Sequence, residues 1–365
     1  MIFRIQCDEI PEFFKPRCNK TCIFETDHID SESLKLFPKN CTKICGYLLI
    51  DQNSDVSENE LTTAFNNVKT VFGSLTIRGV NFTSANFLAG VETIECESPN
   101  DLVYINAYFM TEFGLNNFTS TSCSVYFYIY EAKNLNLMKM RNFYTLTPNS
   151  SLPQLSITLS GSCMHIEEVT NFVISDSLDI QTIYAPYCEY SDSHFDGEKI
   201  CTIGNFSLQN FDTSCKRIIG NVMIKSGDEP YVRNLENVTW IYGELLIEGT
   251  SLANIDFFNN LEYMAHFQSK YQFIGIFDNP NLTNVTFPKL KRARSDHKFL
   301  MLFQRNNAKL FDSNFCWKMK RSLNSTEWHA PSIDGKSCEE IEEAQKSSCG
   351  IPIFMIVVIL GFWYF

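Results

Sequence analysis

The sequence predicts a mainly β solenoid: two tandem units of short stacked parallel strands, followed by a hydrophobic C-terminal tail. Three observations predict it. Short apolar strands recur at steps of about 25 residues, a spacing typical of stacked repeats. The two halves of the chain repeat one another at a fixed offset. Each half ends in a similarly spaced cysteine pair.

The duplication is read from aligned residues. Cys41 and Cys215 each precede a glycine by five positions, Gly46 and Gly220, and each glycine opens an apolar strand. Asn67-Val68 then lies over Asn237-Val238, Phe72 to Gly79 over Tyr242 to Gly249, Leu88 over Phe258, and Val91-Glu92 over Leu261-Glu262, all 170 residues apart. The first copy is four residues longer between its first two strands, which a surface loop absorbs cheaply. Strands are expected at 46–50, 73–77, 102–106 and 125–130, then at 220–224, 243–247, 271–277 and 298–303. Within Gly-x-Leu-x-Ile, Leu and Ile face inward and the intervening residues outward, because strand side chains alternate. The pairs Leu88/Val91 and Phe258/Leu261 are spaced like one helical turn on the far wall. Two-residue hairpin signals between strands are missing, which argues against an antiparallel fold.

Each copy closes with a cysteine pair, Cys163 with Cys188 and Cys316 with Cys338, around segments 164–173 and 317–323. A disulfide-stapled cap covering the open end is the economical reading. The expected organisation is a Cys-rich segment 1–40, a first unit 41–190, a short linker 191–214, a second unit 215–346 and a hydrophobic segment 347–365.

Composition narrows the function. With 44% hydrophobic residues and 31 Phe, the chain has enough apolar surface for real cores. A formal charge of −12 argues against nucleic acid, which needs a concentrated cationic face; the run 289–294 (KLKRAR) is read as a solvated loop. Fourteen cysteines are ordinary for a secreted chain and many for a cytosolic one. Ten Asn-x-Ser/Thr sequons, at Asn19, Asn40, Asn81, Asn117, Asn149, Asn205, Asn237, Asn281, Asn284 and Asn324, point to the same oxidising, glycan-bearing compartment.

Residues 351–365 carry no charge and are not followed by Lys or Arg. Fifteen helical residues reach about 22 Å, short of a hydrocarbon core near 30 Å. The segment reads as a lipid-anchor signal with Ser347 or Ser348 as the attachment point, or as a short spanning helix that takes in Ser348 to Gly350. Residues 1–6 are too short for the signal peptide a secreted chain needs, so an incomplete start is expected.

Cys-x4-Gly-x-Leu-x-Ile, Gly-x-Leu-x-Ile-x-Gly, Phe-Leu-x-x-Val/Leu-Glu and the closing Cys pair together resemble the receptor L domain of insulin- and epidermal-growth-factor-receptor ectodomains. The doubled arrangement over about residues 41–340 is most similar to nematode-type tandem receptor-L-domain proteins that lack a kinase. The resemblance implies a right-handed, leucine-rich-repeat-like parallel β-helix in each unit, and a first unit whose broad face meets peptide hormones. No long Cys-rich module separates the copies, only the stretch with Cys201 and Cys215, and a protein without its own kinase is expected.

Cys18, Cys22, Cys41 and Cys45 would suit zinc, but interleaved sequons place them where thiols oxidise. Cys41 is therefore expected to pair with Cys22 or Cys18, Cys201 with Cys215, and Cys96 with Cys123; Cys45 is either a buried thiol or a partner for another N-terminal cysteine. No metal or other cofactor is expected. Gly-x-Ser-x-Gly, His-Glu-x-x-His, Walker and Gly-x-Gly-x-x-Gly motifs are absent, and His165 beside Glu167 and Glu168 reads as a surface histidine on a cap helix. On the outward positions of the first copy, Tyr47, Leu49, Thr76 and Arg78 are residue types that anchor interfaces. The expected function is non-catalytic binding of a secreted peptide or cell-surface protein. A structural or adhesive role is the alternative, and a polysaccharide-active β-helix enzyme the remote one.

Overall fold

The computed structural model describes residues 14, 16–96, 102–108, 110–112, 114–130, 154–160, 163–175, 179–267, 273–295, 300–323 and 331–349. Its contacts divide the chain into two units, Met1–Tyr190 and Ser191–Phe365.

The first unit contains β1 (Lys43–Ile50), β2 (Thr70–Val80), β3 (Thr93–Glu95), β4 (Leu102–Tyr108), β5 (Ser120–Thr121), β6 (Ser124–Tyr130), β7 (Gln154–Ser160) and β8 (Asp179–Tyr184). The long strands pair in sequence order, β1-β2-β4-β6-β7-β8, always parallel, so each return of the chain adds the next strand to one growing sheet. β3 and β5 extend β2 in a narrower branch. The expected alternation is present: Leu48, Ile50, Leu75, Ile77, Val103 and Ile105 are all buried. Each such side chain contributes roughly 1.5–3 kcal/mol, so a register slip of one residue would expose the whole inner row. Opposite the sheet, α1 (Glu58–Phe65) buries Leu61, Ala64 and Phe65. It starts at Ser57, whose Oγ accepts from the Glu60 amide while the Glu60 carboxylate accepts from the Ser57 amide. Leu88 and Val91 are fully buried there, Leu88 in a 3₁₀ turn. The closing helix of this unit is α2 (Ile166–Ile174), and the Cys163–Cys188 disulfide staples it.

The strands are longer than Gly-x-Leu-x-Ile alone suggests because β1 and β2 run straight through their glycines. Gly46 and Gly73 are register partners. A Cβ on Gly73 would sit 2.1 Å from the Gly46 carbonyl oxygen, and its φ of +133° is one that side chains disfavour. The backbones therefore touch at a bend, which is the physical reason for the repeated glycine.

In the second unit the bend breaks the strands. β9 (His194–Phe195) and β10 (Glu198–Thr202) are followed by β11 (Arg217–Ile219) and β12 (Val222–Lys225), separated at Gly220-Asn221. The pattern continues with β13 (Trp240–Tyr242), β14 (Leu245–Glu248), β15 (Asn254–Ile255), β16 (Tyr263–His266), β17 (Ile274–Phe277), β18 (Asn284–Val285), β19 (Arg292–Ser295), β20 (Met301–Gln304) and β21 (Pro331–Ile333). Three parallel stacks result: β10-β11-β13-β16-β19, β12-β14-β17-β20-β21 and β15-β18. Residues 191–214, expected as a linker, are instead built into this unit, since β10 pairs in parallel with β11. The run 289–294 is also only partly a loop. Leu290 and Arg292 are buried, and Lys291 pairs with Glu262 at 2.6 Å. The open end is covered by α3 (Ser313–Ser322) and α4 (Cys338–Cys349), joined by Cys316–Cys338 and by the Trp317 indole donating to Glu342 at 3.0 Å.

One corner of this unit is held by buried amides. Asn279 is fully buried; its Oδ1 accepts from the amide and hydroxyl of Thr250, and its Nδ2 donates to the carbonyls of Ile247 and Phe277 and to Asn306 Oδ1. Asn306 in turn donates to the Ile276 carbonyl at 2.7 Å. Asn279→Ala strands several of these groups without water, and about 3 kcal/mol of stability should be lost. A lowered urea midpoint with unchanged slope is the expected readout.

Candidate ligand face

The outer surface of the first sheet is built by register. Tyr47 lies beside Ser74, and Leu49 beside Thr76; Thr76 continues to Tyr104, Tyr126 and Ser156. Arg78 continues to Asn106, Tyr128 and Thr158. The four residues singled out in the sequence thus come from two neighbouring strands, but their surroundings differ.

Tyr47 is half-buried because the N-terminal segment crosses it. Phe14, 2% exposed, places its ring 5.7 Å from Tyr47 and 5.7 Å from Phe72, and the Arg17 guanidinium lies 5.3 Å from the Phe72 ring. The Cys18–Cys45 disulfide pins this segment to the same surface, and Cys22–Cys41 anchors it a second time. Cys45, which aligns with Ile219, therefore has a partner. The neighbouring stretch joins the edge of β1, with the Phe24 amide donating to the Cys45 carbonyl, the Ile29 amide to Leu49, and the Leu49 amide to Asp27. The sequence showed the four thiols but not Phe14, whose contact spans more than thirty positions and leaves no periodic signal.

Arg78 is exposed at its tip and lies 3.5 Å from the nearly buried Asp51 carboxylate. Asp51 also meets His28 Nε2 at 3.0 Å and accepts from the Asn53 amide at 2.9 Å. The Asn53 amide, then His28 and Arg78, hold the Asp51 carboxyl below its usual range despite burial. Ser54 Oγ lies 3.2 Å from the same His28 nitrogen, while Asp30 stands 3.6 Å from Nδ1. A hydrolytic triad needs the hydroxyl and the orienting carboxylate hydrogen-bonded on opposite ring nitrogens. Asp30 faces the opposite nitrogen but at 3.6 Å makes no hydrogen bond, and the nitrogen that faces Ser54 is shared with Asp51, so the group clasps the segment bearing His28 to the strand ends. Leu49 and Thr76 remain half-buried, on the first two strands of the face.

Among the described residues, Cys201, Asp212 and Cys215 approach one another within 4.8 Å. Both thiols are joined in a disulfide, and Lys199 donates to Asp212 at 2.6 Å, holding that carboxyl far below its usual range. The group is therefore spent on structure. Cys96 and Cys123 are also joined.

The face now has a family context. A sequence model of the Receptor L domain matches residues 40–146 and 214–321, together more than half of the chain. The chain belongs to the Receptor L domain family. Both matched stretches start one residue before the aligned cysteines, Cys41 and Cys215, so the two L domains are copies of one unit. The chain is 21% identical over 279 residues to Protein irld-34 of Caenorhabditis elegans, covering 70% of this chain and 61% of that protein. It thus spans about three-fifths of that relative's length.

Sequon placement separates the faces of the L domains. Asn19, Asn40, Asn81, Asn117, Asn205, Asn237, Asn281 and Asn284 are all exposed, whereas Asn149 and Asn324 lie outside the described residues. None of these sites falls on the broad sheet strands of the first L domain or on β12, β14, β17, β20 and β21 of the second. Ser347 lies on α4, in the same helix as Ser348, and the apolar segment 350–365 lies outside the described residues. No helix among the described residues is long and apolar enough to cross a membrane.

Proposed function

We propose that this chain is a non-catalytic extracellular binding protein in which each L domain is a right-handed parallel β-helix, and the outer sheet of the first meets a secreted peptide or a surface protein. The reading rests chiefly on one observation: the broad sheet, with Leu49, Thr76 and the tyrosine register positions beyond them, carries no sequon, while sequons flank it at Asn40, Asn81 and Asn117. Glycans would ring this surface and leave its centre open to a macromolecule. Half-exposed aliphatic and aromatic residues are what interface centres use. Attachment to the outer membrane leaflet would come from the apolar C-terminal segment, as a lipid anchor or a short spanning helix.

The test is capture of secreted peptides and ectodomains by the glycosylated chain. A saturable partner is expected, and Leu49→Asp with Thr76→Arg should weaken it at least tenfold while the melting temperature stays within about 2 °C. Saturable binding unchanged by both substitutions would move the site elsewhere.

A second reading, adhesion between cells, is favoured by a different row. In the second L domain Met223, 36% exposed, lies in register with Leu246, Gly275 and Leu302, forming an apolar strip on a sheet without sequons. Cell aggregation that depends on the chain and disappears with Met223→Asp would support it.

A further inference from the structure

The Cys201–Cys215 disulfide ties the end of β10 to the approach to β11 and forces the intervening residues into a projecting loop. Leu208 plugs this loop into the core at 1% exposure. Phe206 and Phe211 pack against the same core, their ring centroids 6.1 Å apart, yet both stay partly exposed. Between them and the disulfide lies an open groove of about 260 Å³, with Ile203, Asn210 and Asp212 in its lining. Sites for small ligands span roughly 300–1,000 Å³, so this groove suits a single sugar ring rather than an oligosaccharide.

Asn205 lines the same groove and heads the sequon Asn205-Phe206-Ser207. Among the described residues it shares an unengaged side-chain amide with Asn40, Asn81, Asn281 and Asn284, and differs in this from three other sequon asparagines. The amides of Asn117 and Asn237 donate to the carbonyls of Ala89 and Thr213, and Asn19 caps a 3₁₀ turn. The exposed Asn205 amide has no hydrogen-bond partner among the described residues.

We propose that Asn205 carries an N-glycan whose first N-acetylglucosamine seats in this groove, its ring C–H face and acetyl methyl against Phe206 and Phe211 and its hydroxyls toward Asn210 and Asp212. Attachment forms a bond from Nδ2 to the anomeric carbon of a lipid-pyrophosphate-linked oligosaccharide. The lipid pyrophosphate leaves with the bonding pair, and one amide proton passes to base. The second amide hydrogen stays, available to the groove wall. The sugar then acts as a built-in part of the loop and shields apolar surface that the small disulfide-closed excursion cannot bury itself. This proposal rests on the extracellular reading above.

The experiment uses the full chain from glycosylating cells, with sugars mapped by mass spectrometry. Occupied Asn205 is expected. Asn205→Gln should lower the melting temperature by about 3 °C, whereas trimming every glycan to its first sugar should leave it unchanged. In a Phe211→Ala background Asn205→Gln should have no further effect. Should that variant fail to fold, isotope-labelled acetyl groups give an independent readout: one methyl resonance shifted upfield by the rings in the native chain and not in urea. An occupied Asn205 with neither a stability difference nor a shifted methyl overturns the proposal, as does a bare Asn205 beside occupied neighbours. A chain bare at every sequon overturns the extracellular reading as well.

Discussion

Gly73→Ala should leave the first L domain unable to reach its native state. The added methyl would sit 2.1 Å from the Gly46 carbonyl oxygen and 2.8 Å from the carbonyl carbon. These atoms belong to backbone locked in a parallel ladder with β2, so no side chain can swing aside. The φ of +133° adds a conformational penalty of about 1–3 kcal/mol that alanine cannot relieve. Together the effects exceed roughly 5 kcal/mol, comparable to the whole stability of many domains. Loss of secreted protein and of protease resistance is the expected outcome. Gly243→Ala should do the same to the second L domain, because its methyl would lie 2.2 Å from the Gly220 oxygen. Gly204→Ala supplies the contrast: nothing lies within 4 Å of that position, and its effect should be small. A Gly73→Ala chain that melts like the parent would disprove the backbone contact.

Stability of the first L domain should fall as pH rises from about 4.5 to 8, through Glu168. This residue is 1% exposed, in the first turn of α2. One carboxylate oxygen accepts from the His165 amide at 3.1 Å; the other has no hydrogen-bond partner among the described residues. Burial pushes its carboxyl from an ordinary 4.5 up to about 8, with the His165 amide opposing and Glu167 adding repulsion. Between these values the folded chain holds a proton that the unfolded chain releases. The stabilisation is therefore complete below about pH 4.5 and is lost as the folded carboxyl ionises. The full loss is on the order of 4 kcal/mol. Glu168→Gln keeps an acceptor for the His165 amide and cannot ionise, though its new amide group is buried without a clear acceptor. The variant should melt about 8–16 °C above the parent at pH 8 and close to it near pH 4.5. Parallel melting curves across this range would remove Glu168 as the source.

The sequence disclosed what repeats. The glycine, the inward Leu and Ile, and the offset of 170 residues carry the strands and the duplication, because a bend and a buried row impose the same residue types in every layer. It disclosed less where one layer solves a local problem. β3 and β5 have three and two residues, too few for any period. Splitting at Gly220-Asn221 and Gly243-Glu244 is a matter of bend angle, which the shared motif does not distinguish. The Thr250–Asn279–Asn306 corner uses residues that also mark ordinary turns. At the ligand face, alternation located Tyr47 and Arg78, but not Phe14 over the first or the Asp51–His28 clasp beside the second. Both contacts come from the N-terminal segment, of which the second copy repeats the Cys22–Cys41 disulfide and the Phe24 bond to Cys45, as Cys201–Cys215 and the Ile203 bond to Ile219, but not the Cys18–Cys45 disulfide.

That segment has a further effect through its backbone. A sheet built by adding parallel strands ends in a row of unpaired amides and carbonyls, and an identical molecule could continue the ladder without limit. Here the stretch from Ile23 to Ile29 occupies the free side of β1, bonding to Cys45 and Leu49, and two disulfides keep it there. The first cysteines thus hold a cover over this edge, and reducing them would free it to pair with another strand.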